Sequence, residues 1–259
     1  MSFIETRGAR IHYSFEGAKD ASVLAFSNSL GTNYSMWDPQ VHELRKTFRI
    51  LRYDTRGHGE SEVLAGPYTI EQLGKDFLGL LDELHLGPVH FCGLSMGGMI
   101  GMWLGIQAPS RLNKLVLCNT GAKIGTEEGW RSRIEAVQNG GMKSIASGVM
   151  ERWFTADFRA KEPATVARIQ KIVERTDPEG YIACCAAVRD YDCREQLQTI
   201  GSQTLVITGA LDPATPPTDG RFVAAHIPGA RHAELNAAHL SNIEDRTRFT
   251  GELAAFLSL

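Results

Sequence analysis

No stretch of this 259-residue chain is apolar for long enough to span a bilayer, which takes about 20 consecutive apolar residues as a helix. The first residues, Met1 to Arg7, lack the basic-then-apolar order of a secretion signal. Excess charge is missing too. The chain has 27 Lys and Arg against 30 Asp and Glu, a net charge of −3, so it carries no basic footprint for nucleic acid. Cysteine is sparse: five residues, an odd number, none in a C-x-x-C spacing. That argues against a disulfide framework or a redox motif. Cys92, Cys118, Cys184, Cys185 and Cys193 are expected as reduced, buried small residues of a cytoplasmic protein. There are no internal repeats, low-complexity tracts or long charge runs. What remains is an ordinary globular composition, long enough for one domain with an insertion.

The apolar pattern alternates between strand and helix. Phe3 to Thr6 and Arg10 to Phe15 alternate around Gly8 and read as a hairpin. Val23 to Phe26, Phe48 to Tyr53, Val89 to Cys92, Leu112 to Cys118 and Thr204 to Thr208 read as buried strands, with a last short one at Glu234 and Leu235. Ile70 to Leu86 has apolar residues at helical spacing behind Thr69, a good N-cap. Further helices are expected at Asp219 to Ala225 and Leu240 to Leu257. Strands alternating with helices predict an α/β protein whose sheet is mainly parallel and covered on both faces. Residues 122–196 break the pattern, with helical spacings, no convincing strand and a break at Glu162-Pro163. They are expected to form a helical cap inserted into a core of residues 1–121 and 197–259. An insertion at the carboxyl end of the sheet lies where open α/β folds bind ligands.

The chemistry is concentrated at Gly93-Leu94-Ser95-Met96-Gly97, between the strand ending at Cys92 and the helix-like run from Gly98 to Gln107. A serine on a sharp strand-to-helix turn holds its hydroxyl above the sheet, within reach of a base. Glycines keep such a strained turn free of clashes. The base needs an orienting acid, and in this arrangement the chain order is serine, acid, histidine. Asp212 follows the apolar strand Leu205 to Thr208. The rival position after Leu112 to Cys118 holds the uncharged Asn119 and Thr120, and Asp190 and Asp192 lie in the insertion. Three histidines follow Asp212. His226 ends a helix, His232 enters a strand, and His239 sits in a small-residue loop opening the final helix. His239 is the preferred base and His232 the alternative. An oxyanion hole needs two backbone N–H groups. Met96, after the nucleophile, should supply one and Leu30, in the loop Ser27 to Gly31, the other. Asp54-Thr-Arg56-Gly57-His58-Gly59 reads as a braced loop beside the serine turn, with substrate contact by Arg56 or His58 as the alternative.

Taken together, these motifs resemble the α/β-hydrolase superfamily over nearly the whole chain. The residues that carry the likeness are Gly93 to Gly98, Asp54 to Ser61, Gly209 to Asp212 and Ala238 to Glu244. Phe26 to Asn33 with Met36-Trp-Asp38, and Trp130-Arg-Ser-Arg133-Ile, resemble more closely the bacterial 3-oxoadipate enol-lactonases. Asn28-Ser29 stands where most of the superfamily has His-Gly, which points to that subgroup. The resemblance implies an eight-stranded, mostly parallel sheet with a helical cap. It implies hydrolysis of a small anionic lactone by an acyl-enzyme route, without metal or organic cofactor; the charge balance and the short apolar runs add the expectation of no nucleic-acid or membrane partner. Other cofactor-free hydrolases, such as carboxylesterases and C–C bond hydrolases, are the alternative, and a ligand receptor on the same fold a more distant one. A substrate carboxylate in a net-negative protein calls for a local cation. Arg133, one helical turn from Trp130, is the candidate, with a solvated helix charge as the alternative reading. Trp153 is a candidate pocket wall, with a plain core tryptophan as the alternative reading.

Overall fold

A computed structural model describes residues 2–6 and 8–258 of the chain. The hairpin is β1 (Ser2–Thr6) and β2 (Ala9–Glu16), with Gly8 at φ +102° beside the turn. Then come β3 (Val23–Ser27), β4 (Arg49–Tyr53), β5 (Val89–Leu94), β6 (Leu112–Cys118), β7 (Gln203–Gly209) and β8 (Arg231–Leu235). They form one sheet in the order β1-β2-β4-β3-β5-β6-β7-β8. Strand β2 runs antiparallel to both its neighbours; every pair from β4 to β8 is parallel. The central strands read as unbroken apolar runs because both faces are covered: Leu24 to Phe26, Leu115 to Cys118 and Leu205 to Ile207 are all buried.

Register sets up the site. Ser27 lies beside Gly93, Leu94 beside Cys118, Cys118 beside Ile207, and Gly209 beside Leu235. The loops that leave β3, β5, β6, β7 and β8 therefore start from one edge of the sheet. Strand β8 is three residues longer than its sequence suggests. It is an edge strand with Arg231 and His232 exposed and only Leu235 buried, so its apolar signal is weak.

The helices are α1 (Asp38–Leu44), α2 (Ile70–Glu83), α3 (Met96–Gln107), α9 (Pro217–His226), α10 (Ser241–Glu244) and α11 (Arg246–Leu257), with α4 to α8 in the segment between β6 and β7. The Thr69 side chain caps α2 by accepting the Gln72 N–H. That helix stops at Glu83, not Leu86, because the chain turns through His85 at φ +52°. The expected single helix from Leu240 to Leu257 is two pieces, since Asp245 leaves helical geometry at ψ 54°. The short α1, behind a 3-10 turn at Tyr34–Trp37, has no clear helical period in the sequence.

Residues 122–196 contain no strand. They form α4 (Glu127–Gly140), α5 (Lys143–Trp153), α6 (Ala156–Lys161), α7 (Pro163–Arg175) and α8 (Pro178–Asp190). The small-residue run Cys184-Cys185-Ala186-Ala187 is the buried face of α8. Close contacts fix the segment to the rest of the chain. Tyr68 N–H donates to the Ala183 carbonyl. A Cβ on Gly180 would stand 2.2 Å from the Gly57 carbonyl oxygen. At the other end, Leu240 N–H donates to the Trp153 carbonyl, and the Glu244 carboxylate accepts from Thr155 and from Ala238 N–H. Among the described residues no helix is long and apolar enough to cross a membrane.

Candidate active site

Strand β5 delivers Ser95 at φ 58°, ψ −114°, and α3 starts at the next residue. A non-glycine residue there costs about 1–3 kcal/mol and persists only when its surroundings over-determine it. They do. Ser95 N–H donates to the Cys118 carbonyl at 2.9 Å, and the Ser95 carbonyl accepts the Thr120 hydroxyl at 2.8 Å. The flanking glycines have a steric reason. A Cβ on Gly93 would sit 2.1 Å from the Gly97 carbonyl oxygen, and one on Gly97 would sit 2.3 Å from that of Ser27. Ser95 is half-buried and opens on a cavity of about 310 Å³ that His239, Leu30, Trp130, Arg133, Arg152 and Trp153 also line.

Asp212 lies in the loop after β7 and His239 in the loop after β8; both are buried. His239 Nδ1 is 2.8 Å from Asp212 Oδ2. The carboxylate is saturated with donors. Oδ1 accepts Ala214 and Thr215 N–H, while Oδ2 also accepts the Thr215 hydroxyl at 2.7 Å and Asn119 Nδ2 at 2.9 Å. Burial alone would raise its pKa; the facing His239 and the hydrogen bonds from His239, Asn119 and Thr215 outweigh burial and hold it below the usual carboxylate value. A carboxylate so occupied is an acceptor, so the shared proton sits on His239 Nδ1 and Nε2 is left as the basic nitrogen. His232 is elsewhere: it is exposed, with Nε2 2.9 Å from the Thr208 hydroxyl.

Asn119 is the residue that sequence reasoning passed over. It follows β6 at φ +42°, in the position considered for the acid and set aside for lacking charge. Its amide donates to Asp212 and to the Ala238 carbonyl and accepts the Ser241 hydroxyl, so one side chain ties three loops. Its place at the carboxyl end of a central strand was the available signal. Asn119→Ala removes a donor to the carboxylate, which raises the Asp212 pKa. The acid limb of the pH–rate profile, which reports the coupled His239–Asp212 pair, is expected to move to higher pH and kcat/KM to fall about 10- to 150-fold, the equivalent of a charged hydrogen bond worth about 1.5–3 kcal/mol. A lower melting temperature with an unmoved profile would reduce Asn119 to a structural brace.

The loop after β3 is locked to the serine turn. Gly97 N–H donates to the Asn28 carbonyl at 3.1 Å. The Asn28 side chain is spent on structure, donating to the Tyr53 carbonyl and accepting from Trp37 Nε1. Gly31 N–H donates to His58 Nε2 at 2.8 Å. Burial pushes the His58 pKa down to about 4, so above that pH the ring is neutral and free to accept. Arg56 makes a two-pronged, buried pair with Asp76, at 2.7 and 2.6 Å. Asp54 accepts from His12 and from Tyr34 and Glu60 N–H. Arg56 and His58 thus brace the loop and do not line the cavity. Two N–H groups beside Ser95, those of Leu30 and Met96, are given to no protein acceptor among the described residues.

Trp130 and Arg133 stand together on α4, with the guanidinium 5.4 Å from the indole centroid. Trp130 is pinned by Nε1 donating to the Ile124 carbonyl at 2.7 Å. Arg133 donates to the Tyr181 hydroxyl at 3.2 Å. Burial raises the Tyr181 pKa, so that phenol is neutral and leaves the charge of Arg133 uncompensated. On α5, buried Trp153 packs its ring 6.1 Å from that of His239.

The family described as alpha/beta hydrolase fold matches residues 23–246. The chain is 41% identical over 247 residues to 3-oxoadipate enol-lactonase 2 of Acinetobacter baylyi, covering 95% of this chain and 92% of that protein. It is 39% identical to 3-oxoadipate enol-lactonase 1 of the same organism, covering 97% and 94%. The crystal structure of the enol-lactonase from Burkholderia xenovorans LB400 superposes with a TM-score of 0.98 at 45% identity, covering all of both chains.

Proposed function

The chain belongs to the alpha/beta-hydrolase fold family, and from that footing we propose that it hydrolyses 3-oxoadipate enol-lactone to 3-oxoadipate. Full-length identity of 39–41% to proteins bearing that name supports the substrate. The observation that carries the reading is local: a serine and a histidine line one small cavity, the histidine is bonded to a buried carboxylate, and the same cavity holds an arginine with no acidic partner. That is the equipment for hydrolysing a small anionic ester.

In the proposed reaction Ser95 Oγ attacks the lactone carbonyl and passes its proton to His239 Nε2. Asp212 holds the ring and stabilises the imidazolium. The Leu30 and Met96 N–H groups take the charge that develops on the carbonyl oxygen. The ring C–O bond breaks, and His239 returns the proton to the departing enol oxygen, a better leaving group than an alkoxide. Water, deprotonated by His239, attacks the acyl-enzyme carbonyl; Ser95 leaves with the proton, and the enol tautomerises to the 3-oxo acid. The helical segment of residues 122–196 acts as a cap that roofs this pocket, with Trp130 and Trp153 as walls and Arg133 facing the substrate carboxylate. The five free, buried cysteines suit a reducing cytoplasm.

Acid release on adding the enol-lactone, compared with neutral aryl esters, tests the assignment. The lactone is expected to be preferred; turnover of esters with none of the lactone would overturn it. For Arg133→Met, a charge-assisted contact of about 1.5–3 kcal/mol predicts a loss of about 10- to 150-fold in kcat/KM. The loss should fall on the acidic lactone and spare a neutral one of similar size. An equal loss on both would mean a damaged cap.

A further inference from the structure

A second guanidinium shares the pocket and has no role yet. Arg152, near the end of α5, is half-buried and lines the cavity with Ser95 and His239. It makes no ion pair or hydrogen bond among the described residues. Arg159, in the next helix, contrasts with it, its guanidinium being given to the Glu151 and Phe154 carbonyls. An arginine that lines a cavity and has no acidic partner gives that cavity a position where an anion can bind, since its N–H donors remain to be met. Arg133 offers a second such position from α4, its one hydrogen bond going to a neutral phenol.

We propose that Arg152 is a second anion-binding residue, and that with Arg133 it makes the pocket a receptor for dicarboxylates. The inference rests on the hydrolytic reading above and extends it to the product. The lactone carries one carboxylate. Hydrolysis of the acyl-enzyme turns the ester carbonyl into a second one, released at Ser95. Arg152 lines the same small cavity as Ser95 and His239, where that new charge appears. Arg133 keeps the spectator carboxylate. The enzyme is therefore inhibited by its own product class, and more strongly by unbranched six-carbon dicarboxylates than by monocarboxylates of the same length.

Competitive inhibition by hexanedioate and by hexanoate tests this, with a neutral aryl ester as the reporter of Ser95 so that no lactone is needed. Wild type is expected to bind hexanedioate at least tenfold more tightly than hexanoate. Arg152→Met should raise the hexanedioate inhibition constant about tenfold, the effect of one charge-assisted contact discounted for partial exposure. Arg133→Met should do the same, and the double variant about 100-fold if the contacts are independent. Arg152→Lys should recover most of the affinity. Equal binding of the two acids by wild type, an Arg152→Met constant within twofold of wild type, or a Lys variant as weak as Met would each overturn the proposal. Discrimination between the acids without lactone turnover would leave the subsite standing and remove the assigned substrate. Lactone turnover without discrimination would do the reverse.

Discussion

Ser95→Ala is expected to lower kcat/KM on the enol-lactone by at least ~10³-fold, with the melting temperature little changed. The side-chain loss is one oxygen atom on a half-buried residue whose backbone bonds stay in place. His239→Ala should cost as much, and the double variant no more than either single one, because nucleophile and base act as one unit. Near wild-type turnover in His239→Ala would remove the base assignment. His232 would then be the remaining candidate, although it is exposed and bonded to Thr208 at the sheet edge.

The second large effect is expected at Asp212→Asn, with a fall of about 10³- to 10⁴-fold at neutral pH, as when the wrong histidine tautomer is imposed in a serine triad. Both carboxylate oxygens accept, Oδ1 from two backbone N–H groups and Oδ2 from Thr215, Asn119 and His239. An amide supplies one acceptor oxygen and one NH₂ group with two N–H donors. Whichever way it is turned, its NH₂ meets donors, so a stability loss of about 1–3 kcal/mol should accompany the catalytic one. Thermal melting and pH–rate profiles separate the two. Turnover of Asp212→Asn within tenfold of wild type would mean that the acid lies elsewhere. In the native chain the Asp212 pKa is depressed on folding, so its contribution to stability is full above the unfolded-state pKa and is lost as the pH falls through the folded one.

The sequence carried the sheet well where strands are buried on both faces, because unbroken apolar runs such as Leu115 to Cys118 have little alternative. It carried β8 poorly, since an edge strand buries few side chains, and it left α1 unmarked, since a helix of seven residues spans too few turns for a period to emerge. The serine turn was legible because its requirements are local: two glycines whose missing Cβ atoms make room for backbone. Asn119 was not legible as a partner of Asp212, because that contact joins residues 93 apart and depends on β6 lying beside β7. Arg152 was hidden for another reason. Its helix shows an apolar face of Ala146, Val149, Met150 and Trp153, and nothing in that spacing tells an arginine at the rim of a pocket from one in water.

The attachment between the α5–α6 corner and the loop carrying His239 limits how the proposed cap can move. Leu240, the residue after the histidine, donates to the Trp153 carbonyl, while Glu244 holds Thr155 and Ala238 at once. A lid swinging at that corner would have to break these bonds or pull the imidazole away from Asp212, disarming the site each time it opened. Exchange of ligand with the imidazole held in place therefore cannot use a swing at this corner, where α5 works as a fixed doorpost.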